Sequence, residues 1–256
     1  MILAIDIGNS HIVLGCIDSD NILFEARMAT DRIRTSDQYC ADLKSLLELY
    51  EVDLTKIEGT IISSVVPPVL NAITEAVRKL IDKRCFIVGP GLKTGLNIRI
   101  DNPAEVGSDL IVAAVAGMKE YGTPLIIIDM GTATTFSVVD RDKAYLGGAI
   151  CPGVMISLDA LTSRTAQLPG IGLNIPKRVV GKNTVDCMQS GLLYGTAAML
   201  DGMIDRTEAE LGYSTTVLAT GGLSKFILPL CKRKIIYDGD LLLKGLNIIY
   251  KLNTKN

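Results

Sequence analysis

The chain has 256 residues, 26 Lys and Arg against 28 Asp and Glu, and a formal charge of −2. This near-balance, with no Lys/Arg block, argues against an electrostatic binder of nucleic acid or membrane surface, and a 48% hydrophobic content marks a globular chain. The single histidine, His11, excludes a histidine-rich zinc site, and six scattered cysteines without a C-x-x-C signal neither a redox pair nor a zinc knuckle.

In chain order, Met1–Ile5 reads as a buried-type strand running into Asp6-Ile7-Gly8-Asn9-Ser10. His11–Ile17 and Ile22–Met28 add two strands around the turn Asp18–Asn21. From Ser36, a good N-cap, the period becomes helical through Cys40, Leu43, Leu47 and Tyr50. Ile57–Val66 is a strand stopped by Pro67-Pro68, Val69–Asp82 a helix, Cys85–Val88 a short strand, and Val106–Tyr121 a helix rich in small residues.

The opening pattern then returns. Ile5-Asp6-Ile7-Gly8 and Ile128-Asp129-Met130-Gly131 share one tetrapeptide pattern at an offset of 123 residues. Each follows an apolar strand and precedes a hairpin, the second made of Thr134–Val139 and Ala144–Ile150. We read a duplication, with a boundary near residues 115–123 and two halves, 1–118 and 119–256, facing each other across a cleft. The second half continues with a helix after Pro152-Gly153, an irregular stretch Leu168–Val180, a long helix Thr184–Leu211, the strand Thr216–Ala219 ending in Thr220-Gly221-Gly222, a helix from Leu223, and a last helix Leu241–Leu252. Strands alternating with helices fix the class as α/β.

No P-loop, dinucleotide G-x-G-x-x-G, G-x-S-x-G elbow or H-E-x-x-H occurs. What remains is the pair of acidic strand ends, Asp6 and Asp129, each two residues before a glycine that lets backbone N–H groups turn toward a ligand. Asn9, Ser10, Thr132 and Thr134 add neutral donors at the same bends. Carboxylates repel phosphate but hold it through a hard cation, and Mg²⁺ takes one or two carboxylates plus substrate phosphates. Two turns of this kind form a nucleotide-triphosphate clamp, with Gly221 and Gly222 allowing a further close approach. Asp109, at a helix start, is either an acid favoured by the helix dipole or a general base for a substrate hydroxyl. No basic n-region with an apolar core opens the chain and no apolar run spans a bilayer, so the expectation is a soluble cytoplasmic protein with reduced thiols.

These motifs resemble the actin-like ATPase superfamily, and more specifically type III pantothenate kinases. The resemblance runs through IDIGNS, ATDRIRT at 29–35, IISSVVPP at 61–68, VGPGLKTGL at 88–96, DNPAEVGSD at 101–109, IDMGTATTF at 128–136, YLGGAICPG at 145–153, GKNT at 181–184, MQSGLLYG at 188–195 and ATGG at 219–222. It implies duplicated actin-like (ribonuclease H-like) domains, each a mixed sheet with flanking helices. It also implies ATP-dependent phosphorylation of pantothenate, the first step of coenzyme A biosynthesis.

Carried over by position, the ATP loop is Asp6, Ile7, Gly8, Asn9, Ser10, His11, Ile12 and Val13, with Thr132, Gly221 and Gly222 also on ATP. Asp109 is the base, and Gly107, Ser108, Asp109, Leu110, Ile100 and Thr184 border pantothenate. Asp129 holds a monovalent cation, K⁺ or NH₄⁺, and Asp6 meets Mg²⁺ through phosphate. The resemblance further implies a homodimer with the pantothenate pocket at the subunit interface, and neither nucleic acid nor membrane as partner. Ile100 and Leu110 stand where the family usually has Tyr and Arg, and Ser137 where it has Asp. Those losses motivate an alternative, a catalytically decayed nucleotide-binding regulatory protein on the same fold.

Overall fold

The structure, a computed structural model, describes residues 1–254. It comprises two compact units, one of Met1–Glu120 with the segment from Asp240 onward, the other Tyr121–Gly239.

In the first unit β1 (Ile2–Ile7), β2 (His11–Asp18) and β3 (Asn21–Ala29) form an antiparallel meander. The strands β4 (Gly59–Ser64) and β5 (Arg84–Ile87) then add in parallel, giving the order β3-β2-β1-β4-β5. The helices are α1 (Ser36–Leu49), α2 (Pro67–Leu80) and α3 (Ser108–Tyr121), with a two-residue strand β6 (Asn97–Ile98) between the last two.

Alternation along β1 decides what each face packs against. Leu3, Ile5 and Ile7 join Leu43, Leu47, Ile73 and Val77 of α1 and α2 in one core. Ile2 and Ala4 join Ile111, Val112 and Val115 of α3 in a second. Burial on both faces explains the unbroken apolar run of this strand.

The second unit repeats the plan. β7 (Leu125–Met130), β8 (Ala133–Val139) and β9 (Ala144–Pro152) make the meander, followed by α4 (Val154–Arg164) and α5 (Thr184–Leu211). After them come β10 (Thr216–Thr220), the single turn α6 (Ser224–Ile227) and β11 (Ile236–Tyr237). The unit's own strands run β9-β8-β7-β10-β11, the order of the first unit, with β10 and β11 parallel additions. Two sheets of one topology match the duplication read from the repeated tetrapeptide.

Three local differences have physical causes. The cap of α1 is Thr35, not Ser36: its side chain accepts from the Gln38 N–H while the Gln38 side chain accepts from the Thr35 N–H, a capping box. Pro67-Pro68 both ends β4 and opens α2, because proline at the first helical positions loses no hydrogen bond. The last helix, α7 (Leu241–Thr254), was grouped by sequence order with the second half; its Leu243, Leu246 and Ile249 instead pack into the core beneath β1 and α3 of the first unit. Gly245 makes that fit possible, since a Cβ there would meet the Val112 carbonyl and side chain.

Candidate active site

In the first unit Asp6 is 6% exposed and shares a sheet face with Ile2 and Ala4, the face covered by α3. Its parallel neighbour in register is Ser63 on β4. The Ser63 and Ser108 hydroxyls lie 3.0 Å apart, and Ser108 Oγ also accepts from Ser64 N–H at 2.9 Å and donates to Ser64 O at 3.0 Å. These bonds pin the start of α3, and so Asp109, to the strand beside Asp6.

Asp109 is half-buried, and its Oδ1 accepts from the Leu110 N–H at 2.8 Å. Burial pushes its pKa above the usual carboxylate value, against the pull of its backbone hydrogen bonds. A half-buried carboxylate with a raised pKa at a helix start suits a proton acceptor. A Cβ at Gly107 would fall 2.5 Å from Asp109 Oδ1 and so would push on that carboxylate. Leu110 and Ile100 are half-buried.

The turn after Asp6 is closed by Gly8 N–H donating to His11 O at 3.0 Å. Asn9, Ser10 and His11 are exposed, Ile12 is buried and Val13 half-buried, so the tip alone offers polar groups outward. The segment after β3 braces it, with Thr30 N–H donating to Ser10 O at 3.0 Å and Thr30 Oγ1 to Gly8 O at 2.7 Å.

The corresponding turn of the second unit is closed by Gly131 N–H donating to Ala133 O at 3.1 Å, with Thr132 exposed at its tip. Asp129 is half-buried and lies beside Thr220 of β10 in register. Gly221 follows with φ +91°, and a Cβ there would meet Met130 O at 2.6 Å and Asp129 Oδ1 at 2.9 Å. Glycine is therefore required both by its backbone angle and by the close approach. Gly222 is exposed. Because α6 has only four residues, the helix dipole adds little there, and the junction acts through this contact.

The structure redistributes the threonines. Thr134, read as a donor at the second bend, is 1% exposed and opposes Met130, whose side chain belongs to the core beneath α4 and α5. The strand begins at Ala133, which turns Thr134 inward. Thr135 instead opposes Asp129 on the same face, and its Oγ1 is buried without a hydrogen-bond partner among the described residues. The period-2 alternation from Asp129 across the hairpin was the signal that could have found it.

Thr184 is exposed at the first position of α5, where Asn183 caps the helix by accepting from Asp186 N–H at 2.9 Å. Among the described residues no three His, Cys, Asp or Glu side chains cluster as a metal site, and no helix is long and apolar enough to cross a membrane.

A family model for type III pantothenate kinase matches residues 2–206. The chain is 48% identical over 255 residues to a type III pantothenate kinase from an Exiguobacterium species, covering 100% of both. It is 46% identical over 253 residues to one from Bacillus cytotoxicus, covering 99% of this chain and 97% of that one. Among solved structures, a Sinorhizobium meliloti protein assigned as a 2-dehydro-3-deoxygalactonokinase matches with a TM-score of 0.60 at 12% identity, over 100% of this chain and 98% of its own. That likeness concerns the fold alone, the α/β arrangement of two mixed sheets. Identity approaching one half along the whole length, on this fold, carries the conclusion that the chain belongs to the type III pantothenate kinase family.

Proposed function

We propose that this protein transfers the terminal phosphoryl group of ATP to the primary hydroxyl of pantothenate, giving 4'-phosphopantothenate, the first step of coenzyme A biosynthesis. The observation that carries the reading is Asp109: a half-buried carboxylate with a raised pKa, pinned by Ser63 and Ser108 to the strand next to Asp6. In this role Asp109 accepts the hydroxyl proton as the oxygen attacks. Gly107, Ser108, Leu110 and Ile100 would border pantothenate, and Thr184 would contact it. The turn Asp6–Val13, with Thr132, Gly221 and Gly222, would bind ATP. The decayed regulatory alternative rests on Ile100, Leu110 and Ser137 alone, whereas Asp6, Asp109 and Asp129 are all present.

Bound Mg²⁺ and a monovalent cation would offset charge on the transferring phosphoryl group. Asp6 fits the first, through phosphate, as a nearly buried carboxylate at a turn whose tip offers neutral donors. The residues around Asp129 fit K⁺ or NH₄⁺: the partnerless hydroxyl of Thr135 shares its face, and Gly221 leaves the space a Cβ would fill.

A homodimer is supported by apolar surface on the second unit. Ile150, Met155, Ile156, Val179, Val180 and Val185 are all 40% exposed or more, and a Cβ at Gly191, Gly195 or Gly202 of α5 would meet nothing within 4 Å. A cytoplasmic location agrees with six unpaired cysteines.

The test is ADP release in the presence of Mg²⁺ and K⁺, with and without pantothenate. Turnover that rises with pantothenate and saturates is expected. Absent turnover, or turnover indifferent to pantothenate, contradicts the proposal.

A further inference from the structure

We propose that Arg32 is a phosphate-contacting residue, supplying to the Asp6–Val13 turn the cationic side chain that the turn itself lacks. The inference rests on that turn being a nucleotide site and adds a residue to it. No Lys or Arg occurs among residues 6–13, whose sequence is DIGNSHIV. Backbone N–H groups and neutral side chains alone would have to meet a polyphosphate from this unit.

Arg32 sits on a segment held to that turn. Register places Ala29, the end of β3, beside His11, and Thr30 then makes its two hydrogen bonds to Ser10 O and Gly8 O. Asp31 is fixed next: its N–H donates to Tyr39 Oη at 3.1 Å, and that hydroxyl donates back to Asp31 O at 2.7 Å. Tyr39 is fully buried, so the anchor is the core itself. The Asp31 carboxylate is occupied locally, accepting from Ile33 N–H at 3.0 Å, and the capping box of α1 closes the segment at Thr35. The backbone on either side of Arg32 is therefore tied down while its side chain is exposed.

The guanidinium donates from Nη2 to Asn9 Oδ1 at 3.1 Å and makes no ion pair among the described residues. Its sequence neighbours Arg27 and Arg34 pair with Glu25 and Asp42. A guanidinium has five donors, and one bond to an amide leaves the fork open for an anion. The same bond orients Asn9. Because arginine only donates, Asn9 must present it with oxygen, which leaves its Nδ2 as a donor with no acceptor among the described residues. Arg32 and Asn9 thus offer N–H groups together at the tip of the turn. A planar fork suits a phosphate better than an ammonium does, so lysine should replace it only in part.

The experiment compares wild type, Arg32→Ala and Arg32→Lys in two readouts: the Mg-ATP dependence of thermal unfolding, and the separate KM values for ATP and pantothenate. Losing a hydrogen bond to a charged group corresponds to roughly ten- to a hundredfold in affinity. Arg32→Ala is expected to weaken Mg-ATP stabilisation and raise the ATP KM by about that factor, with the pantothenate KM within about twofold of wild type and the ligand-free Tm unchanged. Arg32→Lys should recover part of the loss.

An unchanged response to Mg-ATP in Arg32→Ala, beside a responsive wild type, would overturn the proposal alone. A fall in ligand-free Tm that accounts for the loss would overturn it by making Arg32 structural. A wild type that Mg-ATP does not stabilise at saturating concentration and that turns over no ATP would overturn the nucleotide site, and the proposal with it.

Discussion

Asp109, the proposed base, links that role to stability. Burial raises its pKa, so the folded protein holds this proton at a pH where the unfolded chain has released it. The resulting contribution favours folding below the unfolded carboxylate value of about 3.9 and is lost as pH rises through the raised folded value. Above the raised folded value the half-buried ionised group costs stability. Asp109→Asn keeps an oxygen for the Leu110 N–H while removing the charge. We expect it to lower kcat by roughly 10²- to 10⁴-fold and to raise Tm near neutral pH, with the gain shrinking toward zero below about pH 4. Thermal scans at both pH values, beside turnover, check this. A variant that loses activity and also loses stability near neutral pH would show that the carboxylate is structural. The acidic limb of the wild-type pH–rate profile should likewise lie above the ordinary carboxylate range.

At the scale of elements, the two hairpin turns and the glycine junctions were the legible part. A repeated apolar–Asp–x–Gly pattern specifies a strand, a turn and a returning strand by local chemistry alone, and both copies fold that way. Thr184–Leu211 was read to the residue because Asn183 caps it and Gly212, in a left-handed conformation, ends it. The direction of Thr134 was not legible without the strand's first residue, since a shift of one exchanges the two faces.

The junction at Gly221 makes a quantitative prediction at this scale. Gly221→Ala must place a Cβ against Met130 O and Asp129 Oδ1 at a positive φ. The backbone angle costs about 1–2 kcal/mol and the forced contact about 1–3 kcal/mol, so a loss of roughly 2–5 kcal/mol is expected in urea unfolding. Because the displaced contact includes Asp129, the proposed cation ligand, the variant should also need more K⁺ for half-maximal activity. Unaltered stability and K⁺ response would detach this turn from the cation site.

For the whole molecule, the duplication was legible but its closure was not. Two units of identical strand order follow from two copies of one pattern. The return of α7 to the first unit depends on non-local fit: Gly245 against Val112, and Leu246 and Ile249 in the core under β1 and α3. Nothing in the local sequence of 241–254 distinguishes an amphipathic helix packing on the nearer sheet from one packing on the first. The placing of the start of α3 beside β4 is of the same kind, assembled through Ser63 and Ser108 from segments far apart in the chain.

The family and fold converge on one reaction, and its product is the most direct evidence for it. Mass spectrometry of pantothenate incubated with the protein, Mg-ATP and K⁺ should show pantothenate gaining the mass of one phosphoryl group in step with ADP formed, and no gain with Asp109→Asn. Pantothenate recovered unmodified while ATP is hydrolysed would contradict the account.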